Sequence, residues 1–183
     1  MTPFRTLTAR AARLDRANVD TDQIIPARFL RKPRSAGYGT FLFHDLPEAR
    51  RAVQGAAILL AGPNFGCGSS REGAVYALVD AGLRCVVAPG FGDIFAGNAA
   101  QNGLLTVTLP ADAIAGLQGE VTVDLTAQRI RAGAAELTFE IDPFRKRCLL
   151  EGLDDIGLTL AYAGAIEAWT TADADRRPWA MPS

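Results

Sequence analysis

The segment that decides the fold is AILLAGPNFGCGSSREGAVYAL, residues 57–78, which joins an aliphatic run to a glycine-rich loop and then to an alanine-rich stretch. The aliphatic run is typical of a buried strand. From Ala74 onward, apolar residues recur at i, i+3, i+4 and i+7, which predicts a helix that begins near Ser70 and ends at Gly82. A strand, a loop and a helix in this order indicate a βα unit of a parallel sheet.

The flanking segments extend this pattern to one mixed α/β domain that spans residues 1–183. Residues 4–14 predict a weak first strand, and residues 142–172 are expected to be helical in pieces. Residues 31–55 predict a mobile loop with its flank, and residues 171–183 predict a loose C-terminal tail. Further strands are predicted at residues 83–89, 104–110, 120–133 and 135–141, the last two as an antiparallel pair, and further helices at residues 91–103 and 111–119.

The composition is that of a globular protein with no strong charge bias. Hydrophobic residues make up 49% of the chain and charged residues 21%, and the formal net charge is -1. This balance gives no electrostatic reason to expect nucleic acid or an anionic membrane as a partner. The chain also lacks a signal-peptide core and an apolar run of membrane-spanning length, so we expect a soluble cytoplasmic protein.

The cysteines are few and widely spaced. There is no C-x-x-C pair among Cys67, Cys85 and Cys148. This spacing argues against a disulfide framework, and also against an iron–sulfur cluster held by this chain alone. His44 is the only histidine, so a metal site is not expected either. Cys67 leaves two interpretations open: a nucleophile near a helix N-terminus, or a small residue packed under the glycine turn.

The glycine loop fits none of the common phosphate motifs. It lacks the lysine of a Walker A loop, and Arg71 stands where a dinucleotide fingerprint has its third glycine. Exposed backbone N–H groups and a nearby helix N-terminus still favour an anion, and the planar fork of Arg71 suits a carboxylate. The alternative is purely structural: Ser69 or Ser70 caps the helix, with Glu72 completing a capping box.

Several motifs together resemble the small subunits of 3-isopropylmalate dehydratase, a family of the aconitase superfamily. The strongest is GCGSSRE at residues 66–72, followed by LVDAGLRCVVAPGFGDIFAGNAAQNGLL. NVDTDQIIPARFL, GYGTFLFHD and GLDDIGLTL occur in the same order, so the resemblance covers most of residues 4–166. It implies a swivelling β/β/α domain like the mobile last domain of aconitase. It also implies a large-subunit partner that carries a four-iron four-sulfur cluster. The two-subunit enzyme would interconvert 2-isopropylmalate and 3-isopropylmalate in leucine biosynthesis.

The resemblance also assigns roles to individual residues. Ser69 matches the serine that removes a proton beside a substrate carboxylate, and Arg71 matches the arginine that binds a carboxylate. Residues 31–39 correspond to a specificity loop and lid. The other expected substrate-binding residues are Gly68, Ser70, Arg28, Phe29, Leu30 and Arg31.

A serine is a weak base, and this sets a physical condition on the predicted role of Ser69. A helix N-terminus stabilises a negative charge by about 0.3–2 kcal/mol. At about 1.4 kcal/mol per pKa unit, it lowers a hydroxyl pKa by about 1.5 units at most. Other groups of the loop or of the partner must therefore stabilise the ionised serine, and the isolated chain is expected to be inactive.

At two positions the sequence departs from the family pattern, and these departures leave the identity of the substrate undecided. Gly73 stands where relatives commonly have histidine, and His44 stands where an aromatic residue is often found. One alternative is a paralogous hydro-lyase for another substituted malate, of the homoaconitate or dimethylmalate type. The cations of the specificity loop would suit a substrate with a third carboxylate. A second alternative is a non-catalytic module that binds anions.

Overall fold

The computed structural model describes residues 1–180, and its centre is a seven-stranded mixed sheet. The strands are β1 Thr6–Leu14, β2 Ile58–Ala61, β3 Cys85–Ala88, β4 Leu105–Thr108, β5 Glu120–Asp124, β6 Arg129–Ala132 and β7 Ala135–Thr138. Their spatial order is β4-β3-β2-β1-β5-β6-β7. The weak strand predicted at residues 4–14 is therefore the central strand of the sheet.

Strand β1 joins a parallel half of the sheet to an antiparallel half. Its C-terminal part pairs in parallel with β2, which continues in parallel to β3 and β4. Its N-terminal part pairs antiparallel with β5, which leads to β6 and β7. Alternate residues of β2 face two separate cores, Leu59 in one and Ile58 and Leu60 in the other. Because both faces are covered, the strand consists entirely of apolar residues.

Within residues 1–180, eight helices pack around the sheet or follow it. They are α1 Thr21–Ile24, α2 Pro47–Ala52, α3 Gly73–Asp80, α4 Asp93–Gln101, α5 Ala111–Ala115, α6 Pro143–Glu151, α7 Asp155–Leu160 and α8 Ala163–Arg176. Short 3₁₀ turns lie at Ala27–Arg31, Arg34–Ala36, Tyr38–Phe41 and Pro178–Ala180. Within residues 1–180, no helix has both the length and the apolar character needed to cross a bilayer.

The helix after the glycine loop begins later than the sequence predicts. Helix α3 starts at Gly73 and its N-cap is Glu72, without a side-chain capping bond. The prediction of a start near Ser70, with a serine as the N-cap, is therefore wrong. Residues 66–69 are held by residues 19–21, as described below, and the carbonyl of Ser70 accepts from the side chain of Asn98 at 3.2 Å.

Two further segments differ from expectation. Residues 120–133 form two strands instead of one, because the side chain of Asp124 accepts the N–H of Ala127 at 2.8 Å and closes a turn between β5 and β6. The antiparallel pairing of β6 with β7 is confirmed. The predicted loose tail is helical as far as Arg176. Residues 181–183 lie outside the described part.

The segment at residues 31–55 is more ordered than an irregular loop. Only residues 31–36 are exposed without interruption. Beyond them, Tyr38 is buried and donates its hydroxyl to the carbonyl of Lys32 at 2.8 Å. Leu42 and Phe43 belong to the core. The expectation of an exposed loop thus holds for residues 31–36, and mobility stays a prediction.

Candidate functional site

The glycine loop lies alongside the segment that leads into α1. The N–H of Gly66 donates to the carbonyl of Val19 at 2.8 Å, and the N–H of Thr21 donates to the carbonyl of Cys67 at 3.0 Å. Gly66 has φ 73°, and a β-carbon there would collide with the ring of Phe95. Only glycine suits both conditions. These bonds join two sequence motifs that lie almost 50 residues apart.

Ser69 is held by this segment through a single hydroxyl. Its backbone N–H donates to Thr21 Oγ1 at 3.2 Å, and its own Oγ lies 3.0 Å from the same oxygen. Thr21 is only 4% exposed. It begins a helical turn that is closed by a capping box between Asp20 and Gln23. The position of Ser69 is therefore determined by a buried and hydrogen-bonded neighbour.

Arg71 lies two positions before the first residue of α3. Arg71 therefore lies outside the first turn of the helix, and the same late start of α3 reduces the stabilisation that the helix dipole can offer Ser69. Its guanidinium Nη1 donates to Asp22 Oδ1 at 2.6 Å. The two side chains are 44% and 53% exposed, so Arg71 keeps further donors that face outward.

The loop around Ser69 offers unpaired backbone donors. In the described part of the chain, the N–H groups of Gly68, Ser70 and Arg71 donate to no acceptor. The carbonyl of Ser70 is occupied, since it accepts from the side chain of Asn98 at 3.2 Å. Three free N–H groups and one arginine on four consecutive residues suit a carboxylate or a developing oxyanion.

A cleft of about 610 Å³ borders this loop. Its lining comes from the turn at residues 27–31 and from the glycine loop: Ala27, Arg28, Leu30, Arg31 and Arg71. Arg28, Leu30 and Arg31 are three of the six predicted substrate-binding residues, and Arg71 is the predicted carboxylate-binding arginine. Ser69 and Ser70 do not line it, but they immediately precede Arg71. The predicted site is thus assembled around Arg71, which belongs to both parts.

Phe29, like Gly68 and Ser70, is a predicted binding residue that does not line the cleft. Its ring stacks on Phe41 with centroids 4.3 Å apart and contacts the ring of His44 at 4.7 Å. A residue in a 3₁₀ turn cannot point to the same side as both of its neighbours. Phe29 therefore supports the turn from behind, while Arg28 and Leu30 face the cleft.

Arg28 is held in an ion pair at the edge of the cleft. It donates to Asp45 at 2.7 Å, and the imidazole of His44 lies 3.0 Å from the same carboxylate. The hydrogen bond from Arg28, followed by that from His44, lowers the pKa of Asp45 well below its usual range. Asp45 in turn raises the pKa of Arg28. The hydrogen bonds of His44 are made inside this cluster, which gives no support to Cys67 as a histidine-activated nucleophile.

Gly73 explains how Leu30 reaches the loop. A β-carbon at Gly73 would collide with Leu30 Cδ2. The absence of a side chain at the start of α3 therefore gives Leu30 its place in the cleft. The glycine that departs from the family pattern thus serves the close approach of a predicted substrate-binding side chain.

The cysteines of this chain do not form a metal site. Cys85 is buried in β3, and its burial raises the pKa of the thiol. Cys148 is buried in α6, also with a raised pKa because of desolvation, and Cys67 lies half-buried in the glycine loop. Among residues 1–180, no group of three or more His, Cys, Asp or Glu residues could hold a metal. The described residues therefore do not fit an iron–sulfur cluster.

Two contributors to the site are not identifiable from the sequence alone. The sequence around Thr21 and Asp22 predicts only a turn. In the structure, Thr21 contacts Ser69 and Asp22 contacts Arg71. The available signal is the pair of motifs NVDTD and GCGSSRE, which are both features of the family. Nothing local indicates that one motif binds the other, because the contacts span 48 and 49 residues.

Three family models match the chain in succession. The aconitase C-terminal domain matches residues 43–112, and the model described as LeuD_N matches residues 106–143. The C-terminal domain of the 3-isopropylmalate dehydratase small subunit matches residues 155–182. The matched segments include the glycine loop, α3 and the C-terminal helices.

Relatives and a solved structure agree with these matches. The 3-isopropylmalate dehydratase small subunit of Roseobacter denitrificans is 44% identical over 200 residues, covering 98% of this chain and 100% of that protein. That of Rhodospirillum centenum is 46% identical over 202 residues, covering 99% and 100%. The crystal structure of a 3-isopropylmalate dehydratase from Methanocaldococcus jannaschii has a TM-score of 0.73 at 28% identity, covering 90% of this chain and 99% of that one. The predicted fold class is confirmed.

Proposed function

The chain belongs to the family of 3-isopropylmalate dehydratase small subunits, and from this premise we propose how its residues take part in the reaction. It is a subunit of a hydro-lyase of leucine biosynthesis, which interconverts 2-isopropylmalate and 3-isopropylmalate. The observation that carries the proposal is the placement of Ser69 and Arg71 on one loop, bordering a cleft shared with Leu30. In our proposal, this loop holds the acidic end of the substrate and the cleft holds its branched end.

Arg71 binds a substrate carboxylate in this scheme. Asp22 accepts one N–H of the guanidinium, while the remaining N–H groups stay available for a second acceptor. The free N–H groups of Gly68 and Ser70 lie on the same loop and add hydrogen bonds to the bound anion. The carboxylate is thereby held next to Ser69.

Ser69 removes the proton from the carbon next to that carboxylate. Its Oγ must carry negative charge as the proton leaves, and its distance from the first turn of α3 leaves little help from the helix dipole. Arg71 and the loop N–H groups supply the favourable field. Proton removal and carboxylate binding are thus performed by adjacent residues of one backbone-anchored loop.

The proposed site is completed by a large subunit. The described residues of this chain provide no ligands for a cluster, so a four-iron four-sulfur cluster would be held by that partner. When bound there, the cluster supplies a Lewis acid for the leaving hydroxyl. The isolated chain is accordingly proposed to be inactive, and a cytoplasmic location stays a prediction.

The cleft supports one second candidate. Arg28, Arg31 and Arg71 border the same space, which would suit a substrate with an additional carboxylate. Leu30 favours an apolar branch instead, and Arg28 is already neutralised by Asp45. The isopropyl substrate is therefore preferred over a tricarboxylate.

The proposal is tested by reconstitution with the large subunit of the same organism under anaerobic conditions. Dehydration of 3-isopropylmalate is followed by the absorbance of the alkene intermediate, with either protein alone as the control. We expect turnover by the pair only. A stable pair that dehydrates another substituted malate but not 3-isopropylmalate would transfer the assignment to a paralogous enzyme. A chain that forms no complex and supports no turnover would favour the anion-binding module.

A further inference from the structure

We propose that Thr21 is a positioning residue for the base, and that its hydroxyl donates a hydrogen bond to Ser69 Oγ. The inference rests on the proposed role of Ser69. Thr21 Oγ1 lies 3.0 Å from Ser69 Oγ and 3.2 Å from the backbone nitrogen of Ser69. One buried hydroxyl therefore contacts both the reacting oxygen and the backbone that carries it.

The burial of Thr21 determines which hydroxyl donates. Thr21 Oγ1 already accepts the N–H of Ser69, and in the described part of the chain its only other hydrogen-bond partner is Ser69 Oγ. Because Thr21 is only 4% exposed, we assign its hydroxyl proton to that oxygen. Ser69 is half-exposed and can direct its own proton outward. Only this arrangement gives every buried proton an acceptor.

This direction matters for the chemistry. A hydrogen bond donated to an oxygen that becomes negatively charged favours the charged form and lowers its pKa. The N–H of Ser69 polarises the threonine hydroxyl further, because both bonds share one oxygen. The helix begins four residues after Ser69, so the dipole cannot replace this contribution. Thr21 thus supplies part of the stabilisation that a serine base requires.

Other titratable side chains lie on the segments that flank the loop of Ser69. They belong to α1 and its cap, to the glycine loop and to the start of α4: Asp20, Asp22, Cys67, Arg71, Glu72 and Asp93. Two of the carboxylates are engaged, since Asp20 accepts the N–H of Gln23 and Asp22 accepts from Arg71. Thr21 is nevertheless the only residue whose side chain hydrogen-bonds Ser69 Oγ within residues 1–180.

The test compares Thr21→Val with Thr21→Ser in the reconstituted two-subunit enzyme. Valine keeps the shape and removes the hydroxyl, whereas serine keeps the hydroxyl and removes the methyl group. For Thr21→Val we expect kcat to fall about tenfold or more with KM changed by less than about threefold, and the acid limb of the kcat–pH profile to move to higher pH by about one unit. Thr21→Ser should restore most of kcat and the original profile.

A matched control is available elsewhere in the chain. Thr8 and Thr122 form another pair of hydroxyls, 2.8 Å apart, between β1 and β5. Thr8→Val should leave kcat and its pH profile unchanged. If Thr21→Val does not assemble with the large subunit, Thr21→Cys keeps a weak donor of similar size and should lose about tenfold in kcat.

Three results would overturn the inference. One is a Thr21→Val enzyme with normal kcat and an unshifted profile. Another is an equal loss in Thr21→Val and Thr21→Ser, which would assign the effect to packing of the methyl group. The third is a wild-type pair with no turnover of any substituted malate, which would remove the proposed function and the inference with it. The first two leave the proposed function standing, so the failures are distinguishable.

Discussion

Ser69 and Leu30 stand on two sides of the same site, but the chain holds them by different means. Ser69 is held through backbone and hydroxyl bonds to the buried Thr21. Leu30 belongs to a single 3₁₀ turn without buried residues, stabilised by the exposed Arg28–Asp45 pair and by contact with Gly73. The difference indicates a division of work between two sides of the site. The buried side, with Thr21 and Ser69, sets the geometry for proton removal, and the exposed side, with Leu30 in the turn at residues 27–31, selects the substrate.

The largest effect is expected for Ser69→Ala. Loss of a general base typically costs about 10²–10⁴ in rate, so kcat of the reconstituted enzyme should fall by that factor. Ser70→Ala is the matched comparison, because the neighbouring hydroxyl makes no hydrogen bond within residues 1–180. It should raise KM by less than about tenfold. Equal losses in kcat for the two variants would contradict the assignment of the base to Ser69.

Arg71→Lys should have the next largest effect. Lysine keeps the charge but loses the planar fork that lets one residue serve Asp22 and a carboxylate together. We expect KM for 3-isopropylmalate to rise by about 10–100-fold, from the roughly 1.5–3 kcal/mol of a hydrogen bond to a charged group. This change in KM is measured by steady-state kinetics. The control is Arg131→Lys, which alters an exposed arginine paired with Glu136. An unchanged KM would remove Arg71 from the carboxylate site.

Gly73→Ala should separate substrate selection from stability. The new β-carbon must displace Leu30, so kcat/KM for 3-isopropylmalate should fall several-fold relative to that for a 3-methyl analogue. The melting temperature should change little, since the helix gains up to about 1 kcal/mol from alanine and loses a packing contact. Gly97→Ala in α4, where a β-carbon would contact nothing within 4 Å, should raise stability alone. A substrate ratio that Gly73→Ala leaves unaltered would contradict the role of Leu30.

The smallest effect concerns the Arg28–Asp45 pair. The pKa of Asp45 is lower in the folded chain than in the unfolded chain. The stabilisation of the fold by the ionised Asp45 is therefore fully present above the unfolded pKa of about 3.9, and it is lost only as the pH falls through the lower folded pKa. NMR titration of the Asp45 carboxyl carbon should therefore show it ionised at a pH of about 3.9. Arg28→Gln should return the titration toward the ordinary range. As both side chains are exposed, Asp45→Asn should hardly alter the melting temperature at neutral pH.

The difference between the two sides also shows what the sequence can predict. Strands β2 and β3 follow from aliphatic runs, and the importance of Ser69 and Arg71 follows from GCGSSRE. The start of α3 cannot be predicted from the sequence in the same way. Helix propensity reflects neighbouring residues only, whereas residues 66–69 before the helix are hydrogen-bonded to residues 19–21. The buried partner of Ser69 lies 48 residues away in sequence. Such a pairing is set by the fold of the sheet and has no local signature.

The exposed side is less predictable for another reason. Residues 31–55 contain charged residues, glycines and prolines, which resemble a loop in composition. In the structure, Tyr38 and Phe43 anchor the segment in the core, and the close fit of Leu30 depends on the missing side chain of Gly73. From the sequence alone, a glycine does not show which side chain packs against its Cα. The role of Gly73 therefore becomes clear only from the folded chain.

The most direct test of this division of work is a crystal structure of the two-subunit enzyme with 3-isopropylmalate bound. Our account predicts Ser69 Oγ within about 3.5 Å of the carbon that loses its proton. It also predicts one carboxylate on Arg71 and the isopropyl group against Leu30. A substrate whose reacting carbon faces away from Ser69, or whose branch contacts only the large subunit, would contradict it.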